Sequence, residues 1–231
     1  MKYEAVIFDL FGTLVDIFSR REYKSVLEEM ISILSVPSDK FVQLWADTAK
    51  QRGTGIFRSP EENIEYICRN LKEHVTEAQV KEAARVRFDF VSRSMTPSED
   101  ALETLSHLKA EGYRTALISN CATEPPVIWQ NTPFAPLIDV TIFSSLVSLQ
   151  KPDPRIYHLA AERLSVKTGG CLYIGDGDGQ ELTGAHHVGM HPVLIRTSKN
   201  DTADALRDDA ETDDWNGPVI ASLKEVLGLL R

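Results

Sequence analysis

The stretch Val6–Asp16, VIFDLFGTLVD, decides how the rest of the chain is read. An apolar run ends at Asp9, and Gly12 and Thr13 follow within four residues. The segment EAVIFDL, residues 4–10, therefore predicts a short buried strand closed by a turn. A carboxylate where a buried strand stops is either a turn residue bonded to nearby backbone N–H groups or a nucleophile able to form an acyl-phosphate or ester with substrate. Gly12 lets backbone approach a ligand, and Thr13 offers a hydroxyl donor.

Working outward, the rhythm changes twice. From about Glu22 to Arg93 apolar residues recur at three and four, as in Tyr23, Val26, Met30 and Ile33, and again in Ile64, Ile67 and Leu71. This spacing predicts a helical block broken at SVPSDK, RGTG and RSPEEN, with Ser59-Pro60 as a capped helix start. After Thr96-Pro97 the pattern alternates. A helix carrying Leu102, Leu105 and Leu108 precedes a strand in RTALISN. A helix or loop follows near Trp129, then a strand in DVTIFSS, a helix after KPDP, a strand in CLYIGD, a helix from about Gln180 and a strand in HPVLIRT. Alternation of this kind implies an α/β fold, with a Rossmann-like parallel sheet covered by helices on both faces. The first strand belongs to that sheet, so the all-helical block reads as an insertion. Residues 1–15 and 96–231 are expected to form the core, and residues 16–95 a small helical domain. SLKEVLGLL near the end reads as a final helix, and the charge run RDDAETDD, residues 207–214, as a solvated loop.

Composition narrows the function. The 231 residues carry a net charge of −9, which argues against nucleic acid or an anionic membrane surface as the main partner and leaves a small anionic substrate open. Cys68, Cys121 and Cys171 lie far apart without a CxxC pair, which suits a reducing cytoplasm. No charge-free apolar stretch reaches the ~18 residues of a membrane span.

Four predicted strand ends finish in polar groups: Asp9, Ser119-Asn120, the segment leading to Lys151, and Asp176. In an open parallel sheet such ends line the crevice that binds ligands. The segment YIGDGDGQELTGA, Tyr173–Ala185, lacks the third glycine of a dinucleotide loop in both registers, with Gln180 and Leu182 at those positions. It also places His187 where a calcium loop needs Glu. What remains is a cluster of Asp176, Asp178 and Glu181, hard oxygen donors that suit Mg²⁺ and that repel one another without a cation. Lys151, between two acid-bearing strand ends, would offset the charge of a bound phosphate.

In order along the chain, DLFGTL, LISN, KPDP and GDGDGQEL resemble the four motifs of the haloacid dehalogenase superfamily of hydrolases, over essentially the whole length. The resemblance implies that residues 16–95 are the cap of that family. It implies Asp9 as nucleophile and metal ligand with Thr13 beside it. Ser119 would hold the phosphoryl group with Asn120 adjacent, and Lys151 would stabilise charge. Asp176 would ligate Mg²⁺, Phe11 would lend its backbone carbonyl, and Glu181 would act as ligand or as orienter of metal-bound water.

Phe11 departs from the phosphatase pattern, in which a second Asp is the general acid/base, a function worth ~10²–10⁴-fold in rate. Members acting on 2-haloacids carry an aromatic there, need no metal, and use a cap arginine after a Trp; here Ala46 follows Trp45. The expected function is thus a Mg²⁺-dependent hydrolase of a small phosphorylated metabolite. The alternatives are a metal-independent 2-haloacid dehalogenase and a catalytically weak protein that binds a phosphorylated ligand. His186-His187 read as a half-buried structural pair, and Trp45 and Trp129 as packing aromatics.

Overall fold

The computed structural model describes residues 3–198, 202–206, 211 and 214–230. β1 (Ala5–Phe8) consists of four buried apolar residues, as expected of a strand covered on both faces. It pairs in parallel with β2 (Arg114–Ser119) and β4 (Cys171–Gly175), so that Phe8 stands opposite both Leu117 and Ile174. β3 (Val140–Phe143), β5 (His191–Ile195) and β6 (Val219–Ile220) complete a sheet of order β3-β2-β1-β4-β5-β6, parallel throughout. The chain runs outward from β1 in one direction through β2 and β3, and in the other through β4 to β6. The carboxyl end between β1 and β4 is therefore the point where strand order reverses and a crevice opens.

Alternate strand residues feed two apolar layers. Val6, Phe8 and Leu117 pack with Leu105 and Leu108 of α6 (Ala101–Ala110) and with Val226 of α11 (Val226–Leu229). Ala5, Ile7 and Ile118 pack with Tyr157 and Leu164 of α9 (Pro154–Leu164) and with Leu182 of α10 (Glu181–His187). Helices thus cover both faces, as the alternation of elements predicts.

The chain between β1 and β2 is helical: α1 (Arg20–Leu34), α2 (Ser38–Asp47), α3 (Ala49–Gly53), α4 (Pro60–Leu71) and α5 (Glu77–Ser94). All three expected breaks occur. Ser59 Oγ accepts from the Glu62 N–H at 3.3 Å, and Pro60 opens α4. Its missing N–H is one the first helical turn leaves unbonded anyway. α1 lies along α5, burying Val26, Met30 and Leu34 against a face that includes Val80, Ala83 and Phe90. Each such side chain contributes roughly 1.5–3 kcal/mol. α5 and α3 then touch α7 (Glu124–Trp129) and α8 (Ser144–Val147), which follow β2 and β3.

Several local expectations change. β6, two residues long, is too short to show a period. The last helix begins as a 3-10 turn at Leu223–Glu225, started by a Ser222/Glu225 capping box. DVTIFSS leaves the sheet at Ser144, whose chain turns into α8. His186 and His187 are exposed rather than half-buried, because α10 turns its Leu182 and Ala185 face to the sheet. Of the acidic run, residues 207–210 and 212–213 lie outside the described residues. Glu211 is no solvated charge, since its carboxylate accepts from the Leu182 N–H at 2.6 Å and the Thr183 N–H at 3.1 Å. It thereby satisfies free donors at the start of α10. No helix among the described residues is long and apolar enough to cross a membrane.

Candidate active site

Asp9 follows β1 directly, and its backbone N–H bonds Ile174 O at 2.9 Å, tying the residue to β4. Two glycines make room for the acids around it. A Cβ on Gly12 would lie 2.1 Å from Asp176 Oδ2, and one on Gly175 would lie 2.1 Å from Glu181 Oε1. Any larger residue at either position would displace a carboxylate. Gly12 also holds a φ of 82°, in the left-handed region glycine favours.

Asp9, Asp176 and Glu181 are all buried, and each presents a carboxylate oxygen within 4.8 Å of the others. Lys151 is 6% exposed. Its ammonium donates to Asp9 Oδ1 and, at 2.5 Å, to Glu181 Oε2. Burial raises the Asp9 carboxyl; Lys151 opposes that rise and Glu181 adds to it, leaving the group at about 7. Burial acts to lower the Lys151 ammonium, but Asp9 and Glu181 more than offset it, and the group stays charged.

Asn120, after β2, accepts the Lys151 N–H at 2.8 Å and donates to Lys151 O at 3.1 Å. Both ends of its amide clamp the lysine backbone, an arrangement that positions Lys151. Glu181 takes the Gly177 N–H at 3.1 Å on Oε1, and the Tyr173 O–H at 2.7 Å together with Lys151 on Oε2. A carboxylate has about four lone-pair sites, so Glu181 keeps one. Tyr173 is a partner the sequence hid, since it reads there as one more apolar residue of CLYIGD. Burial first, and then Glu181, raises its phenol well above the usual range, so it remains a donor.

Thr13 Oγ1 and Ser119 Oγ are buried without a hydrogen bond of ordinary geometry, although the Cys121 thiol lies beside Ser119. Buried hydroxyls without partners are uncommon; Thr13 follows Asp9 in the same turn and Ser119 ends β2, the strand beside β1. Burial raises the Cys121 thiol to about 12, which disfavours its thiolate.

Three neighbouring acids raise the cost of ionising one another, as the elevated Asp9 carboxyl shows, and a divalent cation would remove that cost. The donors are hard carboxylate oxygens close together, the set Mg²⁺ prefers. Among the described residues this is the one such group of acids, cysteines or histidines, and His186 and His187 take no part in it.

A cavity of about 470 Å³ opens above these groups, lined by Asp9, Phe11, Asn120 and Lys151 from the sheet side. The helical insertion supplies Tyr23, Arg52 and Arg87 to the same wall. Phe11 puts its ring 4.5 Å from Phe18, which lies 5.1 Å from Phe90 of α5, so this aromatic contact joins the first turn to the insertion. Trp129 is a packing aromatic, stacked 5.7 Å from Phe134. Trp45 is more than that, since Arg52 sits 4.1 Å over its ring. Arg87 was not foreseen. Its only sequence signal is a charged residue four positions from Ala83 and four from Val91, both on the buried face of α5.

The sheet order, the acids at its carboxyl edge and the helical insertion define a hydrolase architecture. A profile of haloacid dehalogenase-like hydrolases matches residues 3–189, and the chain belongs to that family. It is 24% identical over 201 residues to (S)-2-haloacid dehalogenase 4A of Burkholderia cepacia, covering 85% of this chain and 84% of that protein. It is also 25% identical over 233 residues to glyceraldehyde 3-phosphate phosphatase of Methanothermobacter thermautotrophicus, covering 97% of this chain and 99% of that one. The solved structure of 2-haloacid dehalogenase from Pseudomonas syringae pv. Tomato superimposes with a TM-score of 0.74 at 18% identity, covering 99% of this chain and 98% of that one, a likeness of fold.

Proposed function

We propose that this chain is a Mg²⁺-dependent hydrolase that acts through Asp9 on a small phosphorylated metabolite, with residues 16–95 as its cap. The packing of three buried acids, Asp9, Asp176 and Glu181, within 4.8 Å of one another carries the reading, because ionising all three together is costly without a cation. Asp9 and Asp176 would hold the ion, with the Phe11 carbonyl and the remaining lone pair of Glu181 completing the protein's share. Bound Mg²⁺ would neutralise charge on the phosphoryl oxygens.

The chain's own groups do the rest. The Asp9 carboxylate would attack phosphorus, forming the aspartyl phosphate as the P–O bond to the leaving group breaks and the leaving oxygen takes its proton from water; a second water would then attack the phosphorus, releasing phosphate and restoring Asp9. Ser119 and Thr13 hydroxyls would donate to the phosphoryl oxygens, and the Lys151 ammonium would offset the charge that develops there. Asn120 and Glu181 would hold that lysine in place. Phe11 supplies no proton to the leaving oxygen, so turnover of ordinary phosphate esters is slow or depends on substrates with good leaving groups. The three cysteines, buried and unpaired, suit a reducing cytoplasm.

Phe11 also favours a second reading, a 2-haloacid dehalogenase in which Asp9 attacks carbon. A panel of phosphate monoesters and 2-haloacids, run with Mg²⁺ or with EDTA, tests both readings, with Asp9→Asn as the blank. Phosphate release that needs Mg²⁺ and Asp9 is expected; halide release in EDTA would favour the second reading. Wild type and Asp9→Asn behaving alike on every compound would sink both.

A further inference from the structure

The two acids that follow β4 are joined by a loop whose backbone needs support from outside. Gly177, Asp178, Gly179 and Gln180 separate Asp176 from Glu181, and three of these four are left-handed, with φ of 85° at Gly177, 60° at Gly179 and 55° at Gln180. Gln180 is not a glycine, and a side chain stays in that region only where its surroundings fix it. It stands directly before Glu181, so whatever fixes the loop also fixes the Glu181 carboxylate. That carboxylate has little freedom of its own. It is fully buried, with Oε2 on Lys151 and Tyr173 and Oε1 against Gly175.

Glu211 holds this loop at both ends. Its backbone N–H donates to Gly177 O at 3.0 Å. Its Oε1 accepts the Leu182 N–H at 2.6 Å and the Thr183 N–H at 3.1 Å, and its Oε2 accepts the Thr183 hydroxyl. Leu182 and Thr183 come immediately after Glu181, so these bonds bracket Glu181 and the loop together. A helix cap needs only the carboxylate bonds; the backbone bond to Gly177, at the far end of the loop, goes beyond a cap. A grip positions only if it is itself anchored, and the chain shortly before Glu211 is tied to the helical insertion. The Leu206 N–H donates to Phe18 O at 2.8 Å, the Arg20 N–H donates to Asp204 O at 2.6 Å, and Asp204 Oδ1 accepts the Arg21 N–H at 3.0 Å.

We infer that Glu211 is a positioning residue of the active site. By gripping Gly177 and the first turn of α10 together, it sets the separation of Asp176 and Glu181 at which the acid cluster takes Mg²⁺. It acts through the loop and Glu181 rather than on the reacting groups. The inference rests on the Mg²⁺-dependent reading and adds to it a residue outside the four sequence motifs. Partners that orient metal ligands in this way are worth about 10–100-fold in affinity or activity.

The test uses the full chain as wild type, Glu211→Ala and Glu211→Gln. The control is Glu225→Ala, which removes the capping box at Leu223–Glu225. Titration calorimetry with MgCl₂ should find the ion bound at least ~10-fold more weakly by Glu211→Ala than by wild type. Glu211→Gln, which keeps one carbonyl acceptor, should recover part of that loss. Amide hydrogen exchange without metal should speed up in peptides spanning residues 176–183 and stay unchanged in those of β1. Glu225→Ala should lower Tm and leave Mg²⁺ affinity as in wild type. Equal Mg²⁺ affinity in wild type and Glu211→Ala, at whatever cost in Tm, overturns the inference and leaves the hydrolase reading standing. So does unchanged exchange at 176–183, or an equal loss of affinity in Glu225→Ala, which would assign the effect to general stability. If Glu211→Ala does not fold, Glu211→Gln carries the same comparison, and an unaltered affinity there overturns the inference. A wild type that binds no Mg²⁺ overturns both the hydrolase reading and this one.

Discussion

Phe11 lies two residues beyond Asp9, the proposed nucleophile, on the cavity wall, with its ring 4.5 Å from Phe18. An apolar ring there has two consequences that can be separated. Under the proposed mechanism it leaves the leaving group without a proton donor, and it joins the first turn to the aromatic cluster of the insertion. Phe11→Asp should therefore raise kcat on phosphate monoesters, toward the ~10²–10⁴-fold that general catalysis contributes. It should also lower stability by about 1–3 kcal/mol, since a half-buried ring loses its packing. Steady-state kinetics and urea denaturation measure the two effects, and an unchanged or lower kcat would mean that position 11 does not face the leaving group. At this scale the sequence was partly legible. Asp9, Ser119, Lys151 and Asp176 stand out because polar residues interrupt apolar strands where a parallel sheet opens. Tyr173 and Arg87 do not, since each sits inside an apolar pattern and only tertiary packing shows which neighbour its polar end meets.

Elements place these residues through ties between strand ends. β2 and β3 are locked at their starts by Asp139, whose Oδ2 accepts the Thr115 N–H at 2.8 Å and which also pairs with Lys109. Burial acts to raise the Asp139 carboxyl, but the Lys109 and Thr115 bonds outweigh it and hold the group below its usual value. A depressed carboxyl contributes stability that is fully present above the unfolded value of ~3.9 and is lost as pH falls through the folded one. Asp139→Asn should thus be less stable than wild type at pH 7, and the gap in urea midpoint should narrow near pH 3. A gap that stays constant with pH would show that the charge on Asp139 does not contribute. Strands β1 to β5 and the helical breaks were legible because each carries its own period or its own cap, as Ser59-Pro60 does. β6 and the Glu211 bond to α10 were not, because a two-residue strand has no period and a cap from 28 or 29 residues away leaves no local trace.

Across the whole molecule, the sheet sets the acids on one side of a cavity and the insertion sets the arginines on the other. The fold was legible because strands and helices alternate, whereas the side of the insertion that faces the site depends on how α1 packs along α5. If the acid cluster holds Mg²⁺ only in the folded state, the ion stabilises the chain by ~2.7 kcal/mol at a concentration of 100 times its dissociation constant. For a chain of this length that corresponds to a rise in Tm of roughly 5–10 °C. Calorimetry should find that rise in wild type and lose it in Asp176→Asn, and a Tm indifferent to Mg²⁺ in wild type would count against the metal site. The most direct test of the central claim is where water attacks. The protein is incubated in ¹⁸O-labelled water with p-nitrophenyl phosphate and Mg²⁺, and separately with 2-chloropropionate and EDTA. Mass spectrometry then follows the label in released phosphate and in the peptide containing Asp9. An aspartyl phosphate opened at phosphorus predicts label in phosphate, none in Asp9, and no turnover of the haloacid; label appearing in the Asp9 carboxylate during haloacid turnover would contradict it.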